Sequence, residues 1–194
     1  MRFLPLAGVL LVVAVACGWR PWLQYRRHGS SGILVFRSGN PGQTFRDTMM
    51  VLLIILLLAQ AVATATGPEP EVRLMYVAGA ACMFGGIALL IVGQLHLGAS
   101  WRIGIDEKAA PGLVSAGIYR FSRNPIFLAL AIFVAGYTLL LPTPLSIALL
   151  AGTLIGIRVQ VRAEETYLLK SYGDRYREYA RRTGRFLPGM GKLR

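Results

Sequence analysis

Five apolar runs, at 3–19, 49–66, 72–97, 126–141 and 145–157, are separated by segments that hold nearly all of the lysines and arginines. Backbone in hydrocarbon must satisfy its own N–H and C=O groups, so runs of this length read as helices that cross or enter a bilayer. Hydrophobic residues make up 55% of the 194 and charged residues 15%, with a mean hydropathy of +0.54. That balance excludes an ordinary soluble domain. The predicted fold is all-α, an integral membrane bundle of about five transmembrane helices forming one membrane domain over 1–194. Within it, 1–97 supplies three spans and a basic loop, and 98–194 supplies a helical hairpin and an amphipathic C-terminal segment.

The net charge of +12 raises nucleic acid as a partner. Its distribution answers against it, because the cations lie between and after the apolar runs, where they orient the chain and meet anionic lipid. The positive-inside rule places the segments 20–47 and 98–124 and the tail after 157 on the cytoplasmic side, and the N-terminus outside. The acids Glu69 and Glu71, alternating with Pro68 and Pro70, mark an external turn. Ten of the 21 Lys and Arg residues follow Ile157. Ala14-Val15-Ala16-Cys17 resembles a lipoprotein cleavage site but lacks the usual leucine, so the first run is read as a retained helix with Trp19 and Trp22 at the interface. Cys17 and Cys82 sit inside apolar runs, and His28 and His96 stand alone, so no metal site is expected.

Several local readings follow in chain order. Residues 33–36 suit a short extended piece. Small residues at Gly79, Ala80, Ala81, Gly85, Gly86 and Ala88 suit a close helix–helix contact. Pro142-Thr143-Pro144 breaks two apolar runs into a hairpin. The last run should continue as helix past Ile157, because no breaker precedes Gly173.

Two polar clusters can carry chemistry. The stretch 112–127 puts Gly112, Gly117, Tyr119, Arg120, Arg123, Asn124 and Pro125 between apolar segments, and irregular backbone there must be buried in protein or line a cavity. The second cluster runs from Arg158 to Tyr179. On a helix, Gln160 and Glu164 share a face while Glu165 points elsewhere. Glu165 reads equally well as part of a solvated face. Glu164 is continuous with the span and is suited to polar groups of a ligand. Tyr167, Tyr172, Tyr176 and Tyr179 read as packing residues, one of which can lie over a ligand ring.

The order Leu113-Val114-x-x-Gly117-x-Tyr119, Arg123-Asn124-Pro125, a proline-broken hairpin, Glu164-Glu165-x-x-Leu168, Tyr172-Gly173-x-x-Tyr176-x-x-Tyr179 and Arg185-Phe186-Leu187-Pro188 resembles the isoprenylcysteine carboxyl methyltransferase family, with parts shared by membrane phospholipid methyltransferases. The resemblance covers about the last half of the chain. It implies a methyltransferase that uses S-adenosylmethionine in a cytoplasm-facing pocket and takes a lipophilic acceptor from the bilayer. Carried over by position, Pro111, Gly112, Leu113, Val114, Tyr119, Asn124, Pro125, Ile126, Phe127 and Glu164 would hold the cofactor. Gly104 stands where some relatives have a contributing Gln, and little is expected of it.

Three positions depart from the family. Asn124 replaces His, Phe127 replaces a hydroxylated aromatic, and Gln160 replaces an Arg that faces the substrate carboxylate. A neutral amide cannot form Arg's bidentate charged pair, so Arg158 and Arg162 are candidate substitutes beside Gln160 and Glu164 in the catalytic set. Two other classes stay open at this point: a sterol-reductase-like membrane enzyme using NADPH, and a non-enzymatic membrane protein whose basic tail binds anionic lipid.

Overall fold

The computed structural model describes residues 2–37, 39–67, 74–104 and 112–193. The acidic turn expected at 67–71 and the site position Pro111 fall largely or wholly outside them. The helices are α1 (Leu4–Val13), α2 (Arg20–His28), α3 (Pro41–Thr66), α4 (Leu74–Leu97), α5 (Pro125–Leu140), α6 (Pro144–Tyr172) and α7 (Asp174–Arg182). A widened turn at Ala14–Trp19 joins α1 to α2 without a break. Among the described residues, four helices are long and apolar enough to cross a membrane, and the apolar α5 is shorter at 16 residues.

Two expectations from the sequence need correction. The basic loop does not begin at Arg20, because the first helix runs on to His28. The Arg20 guanidinium is buried. It donates to the carbonyls of Gln94 (3.3 Å) and Gly98 (2.7 Å) and to Gln24 Oε1 (2.8 Å), and lies 4.7 Å above the Trp101 ring. Carbonyls at a helix C-terminus carry partial negative charge, so the cation is absorbed there rather than driven to water. Pro21 cannot donate to a preceding turn. Widening that turn, with Arg20 N–H reaching Val15 O, lets the helix pass the proline. Likewise, the second long helix starts at Pro41 rather than at Met49. Asn40 caps it, accepting from Gly42 N–H (2.9 Å), with Pro41 at the first position.

The core forms where α4 and α5 pack against α1 and α3, around Val9, Leu57, Met83, Leu90, Phe133 and Tyr137. Small residues set the α4–α5 distance. A Cβ on Gly136 would lie 2.4 Å from Met83 N and 2.6 Å from Gly79 O, and one on Gly86 2.7 Å from Phe133 N. Two of the six expected small residues, Gly79 and Gly86, therefore meet α5, whereas a Cβ on Gly85 has nothing within 4 Å. Polar side chains in this core find partners. Tyr137 Oη sits 3.0 Å from Leu57 O, and Gln60 donates to Thr143 Oγ1 at the hairpin turn (2.6 Å). Thr143 and Ser146 cap α6 reciprocally, and α6 then continues unbroken to Tyr172 as expected. Residues 32–34 pair with Ile103 in a short parallel bridge, which docks the first loop on the segment after α4.

Candidate active site

One end of the bundle carries a cavity between the C-terminal end of α4, the start of α5, the last turns of α6, and α7. Of the ten positions expected to hold a cofactor, the nine within the described residues all line it: Gly112, Leu113, Val114, Tyr119, Asn124, Pro125, Ile126, Phe127 and Glu164. A second cleft, between α1 and α4 at Phe3, Ala7 and Val77, has an almost wholly apolar wall and lies at the far end of the chain fold from these residues.

The 112–127 stretch is shaped by close approaches. Gly117 has φ +60°, and a Cβ there would lie 2.5 Å from the His96 ring, so only glycine fits between the loop and α4. The short turn Gly117–Arg120 then buries Tyr119, whose hydroxyl donates to Gly93 O (3.3 Å). Burial, with smaller contributions from Glu164 and Tyr179, pushes the Tyr119 hydroxyl well above its ordinary range, so it stays a neutral donor.

The loop is locked to the C-terminal segment by a buried ion triad. Glu165 accepts from Arg123 Nη2 (2.8 Å) and Nε (3.1 Å) and from Arg185 Nη2 (2.7 Å) and Nε (3.1 Å). Arg123 also donates to the carbonyls of Ala180 (2.7 Å), Thr183 (3.2 Å) and Gly191 (3.1 Å). Glu165 is thus not on a solvated face; its side chain is 12% exposed and ties three segments together. The hydrogen bond from Arg185 to Glu165 raises the guanidinium's pKa further. Asn124 is part of the same lock: its amide donates to Arg185 O (3.1 Å), holding the tail beside the cavity. Tyr179 closes the seam by donating to Tyr119 O (2.6 Å).

Glu164 is the carboxylate that reaches the cavity. Its Oε1 accepts from Gln160 Nε2 (2.9 Å), and Gln160 Oε1 in turn accepts from Arg46 Nε on α3 (2.8 Å). Arg158 and Arg162, the substitutes considered from sequence, are exposed on other faces of α6. Sequence reasoning missed Arg46, although Gln43 and Asp47 at i and i+4 on the same helix signalled a polar face. It also missed that Ser100 and Arg102 line the cavity, and it allowed one tyrosine at the ligand where Tyr167, Tyr176 and Tyr179 all line it. Gly104, of which little was expected, lines the cavity with its backbone, packed on Leu34.

The arrangement suits a polar, partly cationic ligand with an apolar ring. Leu113, Val114, Ile126, Phe127 and Leu168 give an apolar wall, and Glu164 gives the negative charge. Tyr176 Oη, in a residue 1% exposed, is buried with no hydrogen-bond partner among the described residues. A buried hydroxyl without a partner is costly.

Three comparisons bear on this geometry. Residues 74–175 match the phospholipid methyltransferase family. The chain is 28% identical over 131 residues to the protein-S-isoprenylcysteine O-methyltransferase of Saccharomyces cerevisiae, covering 62% of this chain and 55% of the yeast protein. Its fold is similar to the solved structure of the eukaryotic intramembrane Ras methyltransferase ICMT, with a TM-score of 0.60 at 18% identity, over 94% of this chain and 62% of that one. The chain therefore spans less than two thirds of either relative. The family match takes in α4, α5, α6 and the 112–127 stretch between them, the elements that build the cavity, and by that match the chain belongs to the phospholipid methyltransferase family.

Proposed function

We propose that this protein transfers a methyl group from S-adenosylmethionine to a lipophilic acceptor drawn from the bilayer. The observation that carries the reading is the cavity itself: the half-buried carboxylate of Glu164 stands at an apolar-walled space in a chain of this family. The residues fit the cofactor. Glu164 matches a cationic amino group or ribose hydroxyls, and Phe127 and Leu168 suit a ring face. When bound, S-adenosylmethionine supplies an electrophilic sulfonium methyl.

The protein's share of the reaction is positioning. Holding two reactants in near-attack geometry can contribute roughly 7–11 kcal/mol, and displacement at a methyl carbon asks for little else. Tyr119, Tyr176 and Tyr179 keep neutral hydroxyls, and the Arg123–Glu165–Arg185 lock holds α7 over the site and limits water. A carboxylate acceptor needs no base. An amine or hydroxyl acceptor must release a proton, and Glu164 is the group placed to receive it. On the positive-inside rule the site faces the cytoplasm.

The test is titration calorimetry of the detergent-solubilised protein with S-adenosylhomocysteine, together with label transfer from methyl-labelled S-adenosylmethionine to a membrane lipid extract. Glu164→Ala should weaken binding at least about 10-fold, the loss of one charged hydrogen bond, with the protein still folded. Unchanged affinity refutes the role of Glu164, and no binding by the unaltered protein refutes the cofactor.

A further inference from the structure

Arg46 is a cation without an anion. Its Nε donates to Gln160 Oε1 (2.8 Å) and its Nη2 to Gln43 Oε1 (2.6 Å), both neutral amides. Among the described residues it forms no ion pair, and the neighbouring acid is already committed: Asp47 accepts from Phe36 N–H (2.8 Å) and from Gln43 Nε2 (2.7 Å). Gln43 and Asp47 are 2% and 4% exposed, so the scaffold that fixes the guanidinium is built into the core, while Arg46 itself is half-buried. Gln43, held by Asp47, and Gln160 together fix where the guanidinium points.

Its place gives the cation a use. Gln160 is one helical turn from Glu164 on α6, on the side of the apolar run that begins at Pro144. Arg46 thus meets α6 between its apolar run and the cavity acid, one residue removed from Glu164 through Gln160. Building on the methyl-transfer reading above, we propose that Arg46 binds the anionic group of the acceptor, a carboxylate or phosphate carried by a lipophilic molecule. Gln160 serves as the spacer that aims Arg46 and keeps it from pairing directly with Glu164. A guanidinium held by two bonds keeps its remaining N–H donors for an oxyanion, and its fork matches carboxylate and phosphate geometry. One site can then hold opposite charges a turn apart: the acid toward the donor's cationic group, the arginine toward the acceptor's anion.

The experiment measures binding of three probes to the protein in detergent micelles: an S-prenylated N-acetylcysteine, its carboxamide, and phosphatidylethanolamine. The unaltered protein should bind the free acid about 10- to 100-fold more tightly than the carboxamide, the range for one charged hydrogen-bonded contact. Arg46→Ala should erase that preference, leaving carboxamide binding and S-adenosylhomocysteine affinity within about threefold, the spread of a surface substitution. Arg46→Lys, which keeps the charge without the fork, should retain part of the preference and carries the test if the alanine variant does not fold. A loss of phosphatidylethanolamine binding alongside the acid preference extends the subsite to phosphate. Retained acid preference in Arg46→Ala, equal binding of acid and carboxamide by the unaltered protein, or a parallel loss of S-adenosylhomocysteine each overturn the inference. Failure of the unaltered protein to bind S-adenosylhomocysteine is separate and strikes the methyl-transfer reading instead.

Discussion

Replacing Glu165 by alanine removes the anion shared by two arginines. Arg123 has a side chain 2% exposed, against 34% for Arg185, so the two sides of the triad differ in worth. Breaking a buried pair by deleting one partner typically costs about 3–5 kcal/mol, because a charge is left in low dielectric. Arg123 keeps three carbonyl acceptors, at Ala180, Thr183 and Gly191, which moves the expected cost to the lower end, about 3 kcal/mol. Arg185 can turn to water when Glu165 goes, so its half of the triad contributes about 0.5–1 kcal/mol. Glu165→Ala should therefore destabilise by about 3 kcal/mol and Arg185→Ala by about 1 kcal/mol. Arg123→Met combined with Glu165→Ala should cost less than the sum of the single changes, by about 1–2 kcal/mol.

Thermal unfolding of the detergent-solubilised variants measures all of these, with tryptic cleavage after Arg181 and Arg182 reporting release of α7. Equal costs for Glu165→Ala and Arg185→Ala would refute the argument, since burial would then not decide which arginine matters. Strict additivity in the double variant would refute it as well, because Arg123 and Glu165 would not be exchanging energy.

Two further outcomes follow from other parts of the molecule. Gly136→Ala places a Cβ against backbone atoms of α4 that cannot rotate aside, and should cost about 1–3 kcal/mol, whereas Gly85→Ala, facing open space, should stay within about 0.5 kcal/mol. If both change the unfolding temperature alike, close approach is not what the glycine provides. Burial raises the hydroxyl pKa of Tyr176 and of Tyr179 above the ordinary value near 10, so both are protonated in the folded protein where the unfolded chain ionises. Their contribution is complete below about pH 10 and is lost as pH climbs above it, so absorbance at 295 nm should show delayed phenolate formation that coincides with alkaline unfolding. Removing either hydroxyl, as Tyr176→Phe or Tyr179→Phe, should reduce the delayed fraction; an unchanged titration would contradict it.

What could be read from the chain, and what could not, divides by range. The hairpin was legible because Pro142 and Pro144 act locally, and α6 past Ile157 because nothing local stops it. The 112–127 stretch and Glu164 were legible as partners because irregular backbone beside lipid and an acid on a span both demand a cavity. Arg20 misled, because its fate depends on carbonyls at 94 and 98, some 75 residues away, and a local rule reads only a charge that ends a span. Asn124 was expected to serve the cofactor, and its residue does line the cavity, yet its amide is spent on Arg185 O. Arg46 was invisible for the same reason as Arg20: Gln160 looked like a lost arginine until α3 was seen to bring one to it.

The short helix α5 sets the depth at which these groups meet. Sixteen residues rise about 24 Å, less than the roughly 30 Å hydrocarbon core, and α5 is joined to α6 by a turn of only three residues, 141–143. The two helices start level at that turn, so Pro125, at the other end of α5, lies level with the α6 residue reached after the same rise, about residue 160. Gln160 and the Arg46 guanidinium it holds therefore sit about 24 Å from the hairpin turn, and Glu164, six angstroms further by the rise per residue, at about 30 Å. A full-length α5 would have buried the Arg123–Asn124 turn in the headgroups and left the acceptor to leave the bilayer before reaction. With α5 cut short, Gln160 and Glu164 lie about one hydrocarbon thickness from the hairpin turn, the depth at which the proposed lipophilic acceptor would meet the donor site without leaving the membrane.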